Sequence, residues 1–264
     1  MISDGCLLCG ARFFYYKPIM QSFSEIIRNR HGERLDYAFH PTQGEARGLV
    51  ILGHGVTGNK DRPLLIALAE ALEASGFSVL RFSFSGNGLS EGHFVDSCIT
   101  KEVEDLGSVL DVLGRQPVTY MGHSMGAAVG VLRAAMDSRI GALVSLAGMV
   151  DTAGFASREF GDQIPDQGCM WEKSDCPLSS RYMNDLTAIG SVASHASSIK
   201  IPWLLVHGTE DDVVPLEDSL TMEPLAKSAA EIHAIDGADH VFDGAATGQM
   251  CRAVTEWIAR KVAP

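Results

Sequence analysis

Gly122-His123-Ser124-Met125-Gly126 is the stretch that decides the fold of this 264-residue chain. It has the pattern G-x-S-x-G and lies between an apolar run, residues 117–121, and an alanine-rich stretch, residues 127–136. The first is typical of a short buried strand and the second of a helix. The sequence therefore predicts a strand, a sharp turn and a helix, with Ser124 at the apex of the turn.

Such a turn can activate a serine, whose hydroxyl alone is a weak nucleophile at neutral pH. The turn leaves no room for side chains beside it, so glycine is needed two residues before the serine and two residues after it. The helix that follows directs backbone N–H groups, and the positive end of its dipole, at a reacting oxygen. Ser124 is therefore the candidate nucleophile.

Composition restricts the class of protein. Apolar residues make up 46% of the chain and charged residues 20%, as in an ordinary globular protein of one large domain or two small ones. The net charge of −12 at pH 7 argues against nucleic acids and anionic membrane surfaces as partners. We expect a small-molecule substrate instead. The sequence does not indicate an oligomeric state.

The first 19 residues differ from the rest and are expected to be either a disordered N-terminal extension or a leader ahead of a true start at Met20. They carry an acid instead of the basic start of a signal peptide, and we expect a cytoplasmic protein. Cys6 and Cys9 lack the second pair of a zinc site, so no metal is expected. Cys169 and Cys176 either pair or stay reduced, and a cytoplasmic location favours free thiols.

Strand-like and helix-like segments alternate along most of the chain. Continuous apolar strands that alternate with helices predict a mostly parallel sheet of about eight strands, with helices on both faces and ligands at the carboxyl ends of the strands. The predicted strands are residues 23–28, 34–40, 48–53, 78–84, 118–121, 142–147, 203–207 and 230–235, and the first two form an antiparallel pair. The predicted helices are residues 62–75, 100–113, 127–136, 217–227 and 245–260.

Residues 150–182 break this alternation, because they show no clear period. A stretch of this length inside a domain is usually functional or disordered. Its aromatic content predicts an ordered lid over the site, at about residues 150–185, and a packed surface excursion is the alternative. The candidate substrate contacts in this lid are Phe155, Phe160, Trp171 and Tyr182.

Two later loops hold partners for the serine, which needs a base to accept its proton and an acid to orient that base. His207-Gly208-Thr209-Glu210-Asp211-Asp212 follows one predicted strand, and Gly237-Ala238-Asp239-His240 follows the last one. Each loop alone is a weak signal. Together with Ser124 they give the chain order serine, acid, histidine, each at a predicted strand end.

At these three places the chain resembles the α/β-hydrolase superfamily. The family pattern H-G-x-x-D-x-x-V-P puts the acid at Asp211, and the pattern G-A-x-H-x-F puts the histidine at His240. The resemblance implies that Asp211 orients His240, which takes the proton of Ser124. Neighbouring acids stay open as alternatives to Asp211, namely Glu210, Asp212 and, after the sixth predicted strand, Asp151.

The loop at residues 54–60 follows the third predicted strand and matches the family's H-G-x-x-G turn. The resemblance implies an oxyanion hole made by the backbone N–H groups of Val56 and Met125, which stabilise charge that appears only in the tetrahedral intermediate. A phosphate loop is excluded here, because no Gly-Lys is followed by serine or threonine at the required spacing.

The 54–60 loop, the turn around Gly86 and the serine turn together resemble the serine esterase branch that includes cinnamoyl and feruloyl esterases and monoglyceride lipases. The resemblance covers roughly residues 23–262 and implies the α/β-hydrolase fold, with residues 20–264 as one domain that carries the lid. It also implies cleavage of carboxylic esters of small to medium apolar or aromatic acyl groups through an acyl-enzyme, with no metal or cofactor. A thioesterase or amidase with the same triad is one alternative, and a non-catalytic ligand-binding protein is another.

Overall fold

The computed structural model describes residues 22–262. The predicted N-terminal extension, with Cys6 and Cys9, lies outside the described residues. The strands within the described part are β1 (Ile27–Arg28), β2 (Arg34–Leu35), β3 (Tyr37–His40), β4 (Leu49–Gly53), β5 (Ser78–Phe82), β6 (Val118–His123), β7 (Ile140–Leu146), β8 (Trp203–Gly208) and β9 (Ala230–Ile235).

Seven of these strands form the main sheet, in the order β3-β5-β4-β6-β7-β8-β9. Strand β3 runs antiparallel to β5, and the other neighbours are parallel. The predicted parallel sheet is therefore confirmed, with seven strands in place of about eight, because β1 and β2 form a separate two-stranded hairpin. In this order β6 is the central strand, and the turn that carries Ser124 lies at its carboxyl end.

Helices cover both faces of the sheet. The helices in the described residues are α1 (Pro63–Ala74), α2 (Ile99–Leu113), α3 (Met125–Ala134), α4 (Thr152–Phe160), α5 (Ser180–Ile189), α6 (Ala193–Ala196), α7 (Leu216–Ala226) and α8 (Ala245–Lys261). Successive side chains of a strand point to opposite faces, and in β4 Ile51 packs into the core under α2 and α3, whereas Leu52 packs into the core under α1 and α8. Among residues 22–262, no helix combines the length and apolar character needed to cross a bilayer.

The predicted opening pair is partly wrong. Strand β1 pairs with β2, with Ile27 opposite Leu35. The predicted second strand is interrupted after β2, and its remaining part, β3, joins the main sheet beside β5. The interruption between β2 and β3 is at Asp36. Its N–H donates to Ser90 Oγ at 2.8 Å, and its carbonyl accepts from Ser83 N at 2.8 Å. These bonds turn the backbone away from the first hairpin. The sequence does not reveal this interruption, because the residues on both sides of Asp36 form strands.

The insert after β7 is ordered and holds helices that the sequence analysis missed. Helix α4 begins at an N-cap, Asp151, whose side chain accepts a hydrogen bond from Gly154 N at 2.8 Å. Its buried residues are Thr152, Phe155, Ala156 and Phe160. That spacing is helical, but nine residues with a glycine and four hydroxyl or small side chains give too short a signal to separate from a loop. Helices α5 and α6 were missed as well, and each buries only one or two side chains.

Candidate active site

Ser124 lies between the last residue of β6 and the first residue of α3 with φ 54° and ψ −121°. A positive φ is rare for a residue with a side chain and costs of order 1–3 kcal/mol, so the surrounding structure must hold it. The N–H of Ser124 donates to Leu146 O of the neighbouring strand at 2.9 Å, and Ser124 O accepts from Ala127 N at 3.0 Å. The predicted sharp turn is therefore observed.

The two glycines of the pattern are required by close backbone approach. A Cβ on Gly122 would overlap the carbonyl of Gly126, and a Cβ on Gly126 would lie 2.5 Å from His54 O. Gly55 has the same constraint, because its Cβ would lie 2.8 Å from the Cβ of Ser124. The loop after β4 thus lies directly against the serine turn.

The loops after β8 and β9 meet through Asp211 and His240. His240 Nδ1 lies 2.8 Å from Asp211 Oδ2, and the Asp211 side chain is fully buried, whereas that of His240 is 13% exposed. The other oxygen, Asp211 Oδ1, accepts from the backbone N–H groups of Val213 at 3.0 Å and Val214 at 2.8 Å. Burial alone would raise the pKa of the Asp211 carboxyl, but hydrogen bonds from His207 and His240 reverse this and hold it well below its usual range.

The structure separates Asp211 from the alternative acids. Asp151 is exposed and caps α4, while Glu210 and Asp212 are exposed beside Asp211. No hydrogen bond within residues 22–262 joins any of these three to His240. A carboxylate that is to orient a ring must face it, and among these acids Asp211 is the one that does.

His207 is a neighbour of the site that sequence reasoning missed. Its side chain is fully buried, with Nε2 2.9 Å from Val214 O and 3.2 Å from Asp211 Oδ2, and with Nδ1 2.7 Å from Ser219 Oγ. Because Nε2 faces two acceptors, it carries a proton, and Nδ1 is hydrogen-bonded to the Ser219 hydroxyl. His207 and His240 therefore both contact Asp211 Oδ2. The signal for this contact was the four-residue spacing between His207 and Asp211.

His123 holds the backbone of His240. Its Nε2 lies 2.9 Å from His240 O, and the two rings are 4.8 Å apart between centroids. Burial, with a contribution from the charge of His240, lowers the pKa of His123 to about 3, so the ring is neutral and Nε2 donates to the carbonyl. His123 precedes Ser124 directly and thus ties the serine turn to the loop after β9.

The loop after β4 is shaped by His54. This buried ring accepts from Phe84 N at 3.0 Å through Nε2 and donates to Gly55 O at 2.8 Å through Nδ1. Burial lowers its pKa to about 4, with a small further effect of Arg62, which agrees with a neutral ring. Gly58 N donates to the same carbonyl of Gly55 at 3.0 Å. Both bonds point the Gly55 carbonyl away from the site and leave the next N–H group free to face it.

That next N–H group belongs to Val56, and the corresponding group on the serine turn belongs to Met125. Within the described part of the chain neither N–H donates to a protein acceptor. Met125 is the first residue of α3, where backbone N–H groups have no partner inside the helix. The arrangement leaves two unpaired donors near Ser124, as an oxyanion hole requires.

A cavity of about 310 Å³ opens above these groups and is lined by both Ser124 and His240. Among residues 22–262, no hydrogen bond joins the Ser124 hydroxyl to the His240 ring, a contact that commonly tightens only in the substrate complex. The apolar side chains in the lining are Val56, Leu64, Trp171, Val213 and Val241. The charged ones are Arg62 and Lys173.

Of the four aromatic residues predicted to contact substrate, Trp171 lines the cavity. Phe155, Phe160 and Tyr182 do not line it, because they are buried behind Trp171 in the core of the insert after β7. The ring centroids of Phe160 and Trp171 are 5.1 Å apart, and Trp171 Nε1 donates to Glu159 Oε2 at 2.9 Å. These three residues thus support the position of Trp171, a role that their aromatic character in the sequence does not distinguish from direct contact.

A mostly parallel sheet with a serine turn after β6, an acid after β8 and a histidine after β9 is the arrangement of the α/β-hydrolase fold, and the chain resembles esterases that share this fold. A family model described as the alpha/beta hydrolase fold matches residues 48–173. Est1E from Butyrivibrio proteoclasticus, solved with bound ferulic acid, is 25% identical and superposes with a TM-score of 0.81 over 90% of this chain and 99% of its own. A monoacylglycerol lipase from Paleococcus ferrophilus is 22% identical, with a TM-score of 0.70 over 86% of this chain and 99% of its own.

The sequence relatives include mitochondrial palmitoyl-protein thioesterases. The protein from Bos taurus, named palmitoyl-protein thioesterase ABHD10, is 26% identical over 69% of this chain and 63% of its own length. The protein of the same name from Mus musculus is 26% identical over 79% of this chain and 73% of its own. The chain thus spans slightly less than two thirds of the bovine relative.

Proposed function

We propose that the protein is a serine hydrolase that cleaves carboxylic esters through an acyl-enzyme intermediate. Two linked observations carry this proposal. The buried Asp211 is hydrogen-bonded to His240 at 2.8 Å, and His240 lines the same cavity as Ser124, which lies on a strained turn. A structural ion pair would not need to face a serine held at positive φ beside two unpaired N–H groups.

In the first half of the reaction, Ser124 Oγ attacks the ester carbonyl while His240 takes the serine proton. The N–H groups of Val56 and Met125 stabilise the oxyanion of the tetrahedral intermediate. This intermediate collapses as the bond to the leaving alcohol breaks, and His240 gives its proton to that alcohol. Asp211 holds the ring with Nε2 toward the serine, and its negative charge stabilises the imidazolium that forms.

In the second half, a water molecule attacks the acyl-enzyme and His240 takes a proton from it. The bond between acyl carbon and Ser124 Oγ then breaks, which releases the carboxylic acid and returns the proton to the serine. The apolar lining from Val56, Leu64 and Trp171 supports acyl groups of small to medium size that are apolar or aromatic. The likeness to Est1E, which was solved with ferulic acid bound, supports the same choice.

A thioester substrate is the second candidate, because the sequence relatives from Bos taurus and Mus musculus are named palmitoyl-protein thioesterases. The same residues would act in the same roles, since a thioester carbonyl is attacked in the same way and a thiol leaves in place of an alcohol. The relative values of kcat/KM for matched oxygen esters and thioesters decide between the two.

The test measures turnover of 4-nitrophenyl esters from acetate to laurate, of methyl ferulate and of acyl thioesters of N-acetylcysteamine. We expect turnover by the wild type and a loss of at least about 10³ in kcat for Ser124→Ala. The control is Ser197→Ala, which removes an exposed hydroxyl before β8 and is expected to change nothing. The chain-length optimum then reports the depth of the acyl pocket.

A wild type that turns over none of these substrates, and in which a fluorophosphonate does not label Ser124, would overturn the proposal. That outcome favours a non-catalytic binding protein on the same fold. Equal rates for Ser124→Ala and the wild type would also overturn it, because the hydrolysis would then come from another group.

A further inference from the structure

The cavity contains positive charge without a matching negative charge. Arg62 and Lys173 both line it, and among the described residues no aspartate or glutamate does. This is unexpected in a chain with 33 acidic and 21 basic residues. Two cations and no carboxylate in the lining favour an anionic ligand over a cationic one in this cavity.

Arg62 has unused hydrogen-bonding capacity on the cavity side. Its Nη2 donates to Thr57 O at 3.0 Å, and no carboxylate within residues 22–262 lies within 4.0 Å of it. A guanidinium has five N–H donors in a planar fork, so most of them stay available to a ligand. The charge is felt at the site: burial is the main reason that the pKa of His123 falls, and Arg62 adds to that fall.

Lys173 approaches the same place from the lid. Its Nζ donates to Thr57 Oγ1 at 3.1 Å and lies 5.9 Å from the centroid of the Trp171 ring. Like Arg62, it has no carboxylate within 4.0 Å in the described part of the chain. The two cations therefore converge on Thr57, one through its carbonyl and one through its hydroxyl.

This convergence places the charges beside the candidate oxyanion hole. Thr57 follows Val56, and Arg62 directly precedes α1, whose N-terminal end adds partial positive charge on the same side. A substrate whose carbonyl lies between Val56 and Met125 would thus have its flanking group near Arg62 and Lys173. Uncharged groups would gain little from these cations, whereas an anion would gain charge-assisted hydrogen bonds.

We propose that the site selects esters that carry a carboxylate or phosphate group near the scissile carbonyl, and that Arg62 and Lys173 bind this group. The inference rests on the proposed hydrolase function. It differs from the view that both cations only brace Thr57, because bracing would affect neutral and anionic substrates equally.

The experiment compares substrates that differ in charge near the reacting bond. On the acyl side, mono-4-nitrophenyl adipate is compared with methyl 4-nitrophenyl adipate, in which the free carboxylate is masked. On the leaving-group side, butyryl-coenzyme A is compared with the butyryl thioester of N-acetylcysteamine, which lacks the phosphates. Each pair gives a ratio of kcat/KM, anionic over neutral, and the pair with the higher ratio identifies the side on which the anion binds.

We expect a wild-type ratio above one in at least one pair. In Arg62→Gln and Lys173→Gln that ratio is expected to fall about tenfold, and any damage to the Thr57 loop cancels because it affects both substrates. Raising NaCl to about 0.5 M should lower the wild-type ratio as well, since salt screens charges at the cavity mouth. The control is Arg115→Gln, which removes an exposed cation just before β6, at the opposite edge of the sheet, and should leave the ratio unchanged.

Hydrolysis of the neutral substrates with ratios of one or below would overturn this inference and leave the hydrolase proposal intact. So would ratios that the Arg62 and Lys173 variants change no more than the Arg115 variant does. A wild type that turns over neither kind of substrate would overturn this inference, and it would overturn the hydrolase proposal as well if a fluorophosphonate also failed to label Ser124.

Discussion

Asp211 and His240 are 29 residues apart in the sequence and 2.8 Å apart in the structure, Oδ2 to Nδ1. Both oxygens of Asp211 are occupied, one by backbone N–H groups and one by two imidazole rings. A buried carboxylate in such a shell is fixed in position and stays charged. It can therefore fix the orientation of His240, whose own side chain reaches the cavity.

Asp211→Asn tests this relationship directly. The substitution keeps the shape but removes the charge, and an amide can present its N–H₂ to the ring and select the wrong tautomer. We expect a loss of about 10³–10⁴ in kcat on the best 4-nitrophenyl ester. The matched control is Asp212→Asn, an exposed neighbour, for which kcat should stay within about twofold of wild type. Similar losses in the two variants would contradict the assignment of Asp211.

His207 is expected to act as a positioning residue through Asp211. His207→Leu leaves the carboxylate without one of its buried donors, and we expect kcat to fall about tenfold or more with little change in KM. His207→Gln retains an N–H₂ donor and should recover part of the loss. A merely structural role predicts lower thermal stability with normal kcat in the molecules that stay folded, so the two parameters are measured together.

Gly126→Ala tests the close packing of the serine turn. The new methyl group would lie 2.5 Å from the His54 carbonyl, which is backbone and cannot move aside. We expect a loss of about 1–3 kcal/mol in the free energy of unfolding, measured by urea denaturation. The control is Gly248→Ala, at an exposed position inside α8 with nothing nearer than 3.6 Å, which should stabilise by about 0.5–1 kcal/mol. A neutral result for Gly126→Ala would show that the turn can relax.

Glu102 makes stability depend on pH. Its side chain is buried, Oε1 accepts from Ser97 Oγ at 3.0 Å, and Oε2 has no hydrogen-bond partner. Burial raises the pKa of this carboxyl well above its ordinary value, and the Ser97 bond opposes that effect only in part. The folded state therefore holds the proton more tightly than the unfolded state does. The contribution of Glu102 to the free energy of unfolding is therefore largest below the unfolded-state pKa of this carboxyl, and it is lost as the pH rises toward its folded-state pKa.

Glu102→Gln is accordingly expected to melt at a higher temperature than wild type at about pH 7–8, with a difference that shrinks toward about pH 4. Melting curves across this range measure it. Glu70→Gln, an exposed change on α1, should follow the wild-type curve at every pH. A constant difference between Glu102→Gln and wild type would mean that packing, and not ionisation, distinguishes them.

Much of the fold could be predicted because short local sequence patterns determine it. The run of buried residues in β6, the glycines at 122 and 126 and the apolar face of α2 each act over a few residues, where steric limits on the backbone are strict. The pairing partner of β3 could not be predicted in this way. Its pattern is strand-like wherever it pairs, and the bonds from Asp36 to Ser83 and Ser90 decide which partner it takes.

The sequence by itself determined the serine turn, the order of the loops that carry Asp211 and His240, and the sheet that brings strand ends to one edge. The tertiary structure decided which acid faces His240, that His207 braces it, and that Trp171 lines the cavity while Phe155 and Phe160 lie behind it. It also brought Lys173 to Thr57 across 116 residues of sequence. The physical reason is range: backbone conformation is limited by near neighbours, whereas contacts between distant loops depend on how every intervening element packs.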